Sequence, residues 1–199
     1  CDIPLARGLG SSAACAGAAV RAVADLHGRD LDPGELYALV QCGEQVAHGR
    51  ASGIDASAVL ASGPIRFHAG SARPMPVGLD AALVIADTGV CGSTQQAVAD
   101  VRARLAADPR AARLLLDRAA ELIDAGAEAL AAGRARALGT TMLEFQDLLT
   151  ELGVSTPRID ALVAAARAAG AHGAKLTGAG LGGCVLALTE TAAAPTVST

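Results

Sequence analysis

With 199 residues, 52% of them hydrophobic, the chain can bury one large core or two small ones. A formal charge of −4 with no basic run, and an aromatic content of 2%, argue against a nucleic-acid polymer as partner. No apolar run is long enough to span a bilayer and no basic-then-apolar leader opens the chain, so a cytoplasmic protein without a membrane partner is expected.

The stretch from Ile3 to Ala14 comes first and organises the rest. Gly8 and Gly10 give the backbone access to positive φ, and Ser11 and Ser12 stand where an alanine-rich helix begins. Such a turn can aim unpaired N–H groups at a phosphate; the competing reading is a plain serine-capped helix. The helix is expected over Ser12–Leu26, buried and closely packed, with His27 and Gly28 ending it. Asp32 and Pro33 start a second helix whose inner face is Leu36, Leu39, Val40 and Gly43 and which carries Glu44 and His48. A glycine-containing loop leads to Asp55, then a small apolar segment and a short strand, Ile65–His68. A Pro- and Gly-containing connection from Gly70 to Gly78 marks a domain boundary, giving domains 1–78 and 79–199.

Ala81–Ala86 reads as a strand ending in the turn Asp87-Thr88-Gly89. Helices follow from Ser93-Thr94 to about Ala107, over Ala111–Ala132 and Arg134–Leu152 as an antiparallel pair joined at Gly133, and from Thr156-Pro157 to Ala169. The end reads as strand Ala174–Leu176, glycine loop Thr177–Gly183, strand Cys184–Leu188, and a frayed tail after Glu190. Five dispersed cysteines, three of them in apolar surroundings, suit a reducing compartment. The absence of an initiating methionine suggests a piece of a longer protein.

Phosphoryl transfer needs a phosphate cradle, a metal ligand and a group that orients or deprotonates the attacking hydroxyl. A hydroxyl from Ser12 with the carboxylate of Glu44 would suffice for magnesium, and Asp55 could be the base. The bland alternatives are a solvated helix face for Glu44 and a helix cap for Asp55. A zinc site on Glu44 and His48 lacks a third ligand, and His27, His68 and His172 are isolated. Gly178, Gly180 and Gly183 fit a dinucleotide fingerprint on paper, but an apolar strand follows where a helix is required. Glycines so dense between two strands instead let the backbone approach a bound molecule, a tight hairpin being the alternative.

Three motifs in fixed order resemble the GHMP small-molecule kinases: Pro4–Ala13, Glu44 with His48 to Asp55, and Lys175–Cys184. The likeness is closest to members that phosphorylate mevalonate, although Ala6 stands where the family usually has glycine and Ala51 where it often has proline. The resemblance implies an α+β protein with a ribosomal S5-like amino-terminal part and a ferredoxin-like carboxy-terminal domain. It implies ATP held by Gly8, Leu9, Gly10, Ser11, Ser12 and Ala13, and Mg2+ on Ser12 and Glu44. Asp55 would serve the acceptor hydroxyl, with Thr88 and Ala179 lining a mevalonate pocket and Gly178, Gly180 and Gly182 closing its phosphate side. The family's amino-terminal strands, with a lysine that assists the base, have no counterpart in these residues. Another GHMP kinase with a different alcohol, or a non-catalytic nucleotide-binding domain, are the rival readings, and homodimerisation is left open.

Overall fold

Small side chains shape the first unit, Cys1–Pro76, in a computed structural model that describes residues 3–49 and 51–194. Its helices are α1, Ser11–Leu26, α2, Pro33–His48, and α3, Ile54–Leu60. Helix α2 starts from a reciprocal cap. The Asp32 carboxylate accepts from the N–H groups of Gly34 and Glu35 at 2.7 and 3.0 Å, and Glu35 accepts from Asp32 N–H at 3.2 Å. Helices α1 and α2 cross antiparallel. A Cβ on Gly43 would sit 3.3 Å from that of Ala16, and one on Gly17 would sit 3.7 Å from Val40. The shared core is Ala13, Val40 and Ala56, one residue from each helix.

Burial in α1 is confined to its first half, Ser11, Ala13 and Gly17, which corrects the expectation of a wholly buried helix. Beyond Gly17 its apolar residues recur on a different stripe. Val20, Val23 and Ala24 line, with Leu31 and Leu39, an open cavity of about 590 Å³, so Leu39 is not an inner-face residue. A hairpin ends the unit: β1, Ile65–His68, pairs with β2, Ser71–Pro74, across the turn Ala69-Gly70. Both turn residues are left-handed, φ 47° and 79°, as a two-residue turn of this hand requires. Strand β2 was not expected, because alanine at the first turn position hides the signal.

The second unit, Val77–Thr199, holds a three-stranded antiparallel sheet in the order β3-β5-β4, where β3 is Ala82–Asp87, β4 Gly173–Leu176 and β5 Cys184–Thr189. Register runs from Ala82 opposite Thr189 to Asp87 opposite Cys184, and Leu176 lies opposite Val185. Four helices accompany it: α4, Thr94–Ala107, α5, Pro109–Ala131, α6, Ala135–Glu151, and α7, Pro157–Ala168. Ser93, Asp108 and Thr156 cap α4, α5 and α7, and prolines at the first positions of α5 and α7 cost no hydrogen bond there. Helix α7 lays Ile159, Val163 and Ala166 on Ala174, Leu176, Val185 and Ala187 of the sheet. Burying a side chain such as Ile159 stabilises by about 2–3 kcal/mol.

Helix α6 crosses the start of β4 at Gly139: a Cβ on Gly173 would collide with the Gly139 backbone, and one on Gly139 with His172. Of the four described cysteines, Cys15, Cys42 and Cys91 are exposed and only Cys184 is buried, fewer than their apolar neighbours suggest; none forms a disulfide. No described helix is long and apolar enough to cross a membrane.

Candidate active site

In the first unit, Gly8 and Gly10 both take positive φ, 74° and 71°, and Gly10 is the N-cap of α1. A glycine cap brings no side chain to the helix end, and no side chain caps it from elsewhere. The N–H groups of Ser11, Ser12 and Ala13 therefore make no hydrogen bond among the described residues, leaving a cradle suited to an anion. Ser11 and Ala13 are buried, Ser12 and Leu9 half-buried and Gly8 exposed. A Cβ on Gly10 would lie 3.3 Å from Val59, so the cradle rests against α3.

Glu44 is buried, 3% exposed, which overturns the solvated-face alternative. It lies four residues after Val40 and shares its stripe, and the antiparallel crossing puts its turn of α2 alongside the turn of α1 that holds Ser12. Asp55 is exposed in the first turn of α3 and is not its cap; Gly53 is, at φ 91°. A Cβ on Gly53 would collide with the Tyr37 hydroxyl. The Gln41 amide donates to the Ala51 carbonyl at 2.8 Å, tying α2 to the loop before Asp55. Nothing in the sequence marks Gln41 or Tyr37 as supports of that loop. His48 belongs to α2, and Arg50 beside it lies outside the described residues.

The second unit builds its own loop cluster. Thr88 is buried; its hydroxyl donates to Gly183 O at 2.7 Å and accepts from Val90 N–H at 3.3 Å, and its N–H donates to Gly183 O at 3.0 Å. Leu181 N–H donates to Val154 O, and Gly183 N–H to Val90 O, both at 2.8 Å. The Cβ positions of Gly180 and Gly182 are taken by Val154 and by the Val90–Gly92 backbone, and that of Gly92 by Gly180 O. These glycines are therefore required by protein packed against protein, which differs from the expectation that they clear space for a ligand. The N–H groups of Gly178, Ala179, Gly180 and Gly182 still make no hydrogen bond among the described residues, in a loop with φ of 74° at Gly178 and 87° at Gly180. Leu181 N–H, committed to Val154 O, interrupts the run, so only Gly178, Ala179 and Gly180 are successive, the arrangement from which anion nests are built. Gly178 is exposed and Ala179 half-buried, while Gly180 and Gly182 are buried.

Three supports of this loop were not read from the sequence. Gly92 allows the close approach just described. Arg158 donates to Thr88 O at 3.2 Å. Gln146, buried on α6, accepts from Leu176 N–H at 2.8 Å and donates to Ser155 Oγ at 3.0 Å. The Lys175 ammonium donates to Leu176 O at 2.6 Å and lies 5.6 Å from the centre of the Phe145 ring. Burial pushes its pKa down from 10.5 to about 8. Among the described residues no three of His, Cys, Asp and Glu cluster closely enough to hold a metal. A metal here would therefore draw most of its oxygens from a phosphate ligand and water.

The comparisons with known proteins fall on the same two halves. The model of the GHMP kinases N terminal domain matches residues 1–63, and that of the GHMP kinases C terminal region matches residues 127–198. The chain belongs to the GHMP kinases, and its mixed helix-and-sheet fold is theirs. Within that family it is similar to mevalonate kinases. That of Pyrococcus horikoshii is 39% identical over 192 residues, 94% of this chain and 57% of that protein. That of Aeropyrum pernix is 40% identical over 191 residues, 94% of this chain and 58% of that protein. The structure of the L. major mevalonate kinase in complex with R-mevalonate superposes with a TM-score of 0.87 at 30% identity, over 94% of this chain and 59% of that one. The chain thus spans less than two thirds of the length of each of these relatives.

Proposed function

We propose that the protein transfers the γ-phosphoryl group of ATP to mevalonate, forming 5-phosphomevalonate and ADP for isoprenoid precursor synthesis in the cytoplasm. The observation that carries this is in the first unit. An uncapped helix N-terminus, a buried carboxylate and an exposed carboxylate come from three helices that share one small core, Ala13, Val40 and Ala56. The likeness to mevalonate kinases supports mevalonate as the acceptor.

In this reading the Gly8–Ala13 loop binds the ATP phosphates through backbone N–H groups and the positive end of α1. Asp55 takes the proton of the acceptor hydroxyl as its oxygen bonds to the γ-phosphorus, and the bond to the β,γ-bridging oxygen breaks to release ADP. Ser12 and Glu44 offer a hydroxyl and a carboxylate, hard oxygens of the kind magnesium takes, on facing turns of α1 and α2. Mg2+ bound there would neutralise charge on the phosphates. Thr88 and Ala179 line the acceptor side. The Thr88 hydroxyl can offer it only an acceptor lone pair, since its proton is committed to Gly183 O. Gly178, Gly180 and Gly182 contribute N–H groups on the phosphate side. The first unit is then the nucleotide-binding domain and the second the carboxy-terminal domain of the kinase.

The test is Asp55→Asn in the full-length protein, which keeps the shape of the side chain and removes the base. Turnover with mevalonate should drop by about 10³-fold while ATP binding is kept. Unchanged turnover would remove Asp55 from the reaction.

A further inference from the structure

The last residue of β4 before the glycine loop has both backbone groups held by side chains. Strand β4 is an edge strand, bonded only to β5, so alternate residues point their N–H and C=O outward. At Leu176 the outward N–H is taken by Gln146 Oε1 at 2.8 Å and the C=O by Lys175 Nζ at 2.6 Å. Gln146 is itself fixed. Its Nε2 donates to Ser155 Oγ at 3.0 Å, and that hydroxyl donates to the Asp160 carboxylate at 2.6 Å. The next residue, Thr177, donates its N–H to Cys184 O at 3.0 Å and opens the loop in which the N–H groups of Gly178, Ala179, Gly180 and Gly182 make no hydrogen bond among the described residues, Gly178 being exposed and Ala179 half-buried.

We infer that Lys175 and Gln146 are positioning residues for nucleotide binding: they clamp Leu176 and so set the angle at which the glycine loop presents its N–H groups to the phosphates. The inference rests on the kinase reading above. A charged lysine in a half-buried site is costly, and hydrophobic residues would cover an edge strand as well, so stability alone does not account for it. Lys175 makes no ion pair among the described residues. Helix α6 brings Arg136, Glu144, Asp147 and Glu151, α7 brings Arg158, Asp160 and Arg167, and β5 only the Cys184 thiol. Its contacts are Leu176 O and the face of Phe145.

The clamp has a pH signature that a structural lysine lacks. Because burial lowers the pKa of Lys175 to about 8, the native state binds fewer protons than the unfolded chain from there up to 10.5, and stability rises with pH across that window. The clamp weakens over the same range, because a neutral amine is a poorer donor than an ammonium. Affinity for a fluorescent ATP analogue with Mg2+ should therefore fall about tenfold between pH 7.5 and 9.5 while the melting temperature rises. In Lys175→Met the affinity should be low and flat with pH; in Lys175→Arg it should stay near the wild-type value at pH 7.5 throughout. Gln146→Glu, which keeps the acceptor for Leu176, should retain affinity better than Gln146→Met, and this pair decides if Lys175→Met does not fold. Wild-type affinity that is flat with pH, or that follows the melting temperature upward, would overturn the inference. Phosphorylation of mevalonate by the same preparation would show that the kinase reading survives that failure, and wild-type protein that neither binds the analogue nor turns over would instead remove the reading itself.

Discussion

Glu44 shows how a residue's role depends on which stripe of its helix it occupies. A glutamate near the end of an amphipathic helix is ordinarily solvated, but Val40 lies four residues before it and carries it into the contact with α1. The spacing was present in the sequence, whereas the crossing that buries that stripe was not, because it depends on Gly43 meeting Ala16. A buried carboxylate beside a cradle for phosphates contributes charge where a divalent ion would need it. Glu44→Gln should raise the magnesium concentration needed for half-maximal turnover by about tenfold or more, read from ADP release against total Mg2+. Equal magnesium dependence in the two proteins would take Glu44 out of the metal site. Gly53 and Gly180 carry a similar lesson. Both looked like loop glycines, yet their Cβ directions point at Tyr37 and Val154, partners that only the folded chain brings near.

Among the elements, those with a chemical start signal were readable: Asp32-Pro33, Ser93 and Thr156-Pro157 each begin a helix where the backbone N–H groups are capped, whereas Asp108-Pro109, which reads as a break before a helix at Ala111, itself caps and opens α5. Helices α1, α3 and α6 start without a side-chain cap, and at α1 the missing cap, after a glycine turn, is what fits the helix end for an anion. Strand β2 was missed because its turn, Ala69-Gly70, lacks the asparagine or glycine that favours left-handed φ at the first position. Ala69 is exposed and sits at φ 47°, so Ala69→Asn should stabilise the protein by about 0.5–1 kcal/mol in urea unfolding without touching activity. A loss of stability would mean that the hairpin does not form as described. The glycine loop was readable as a loop between strands, but its supports were not. Gln146 and Arg158 reach Leu176 and Thr88 from 30 and 70 residues away in the chain.

For the whole molecule, a formal charge of −4 and few aromatics argue against a nucleic-acid polymer partner, and the order of three motifs pointed to the family that the matches at 1–63 and 127–198 then gave. What the motifs carry is local chemistry: a helix end, a carboxylate pair and a loop of N–H groups, each readable because few residue types serve. Choice of acceptor is a property of the complete protein, of which relatives have considerably more than this chain spans. The most direct measurement is ADP release by the full-length protein with ATP and Mg2+ against mevalonate, phosphomevalonate, galactose and homoserine. The account predicts that kcat/KM for mevalonate exceeds each of the others by about 100-fold or more; equal rates on all four, or preference for another alcohol, would contradict it.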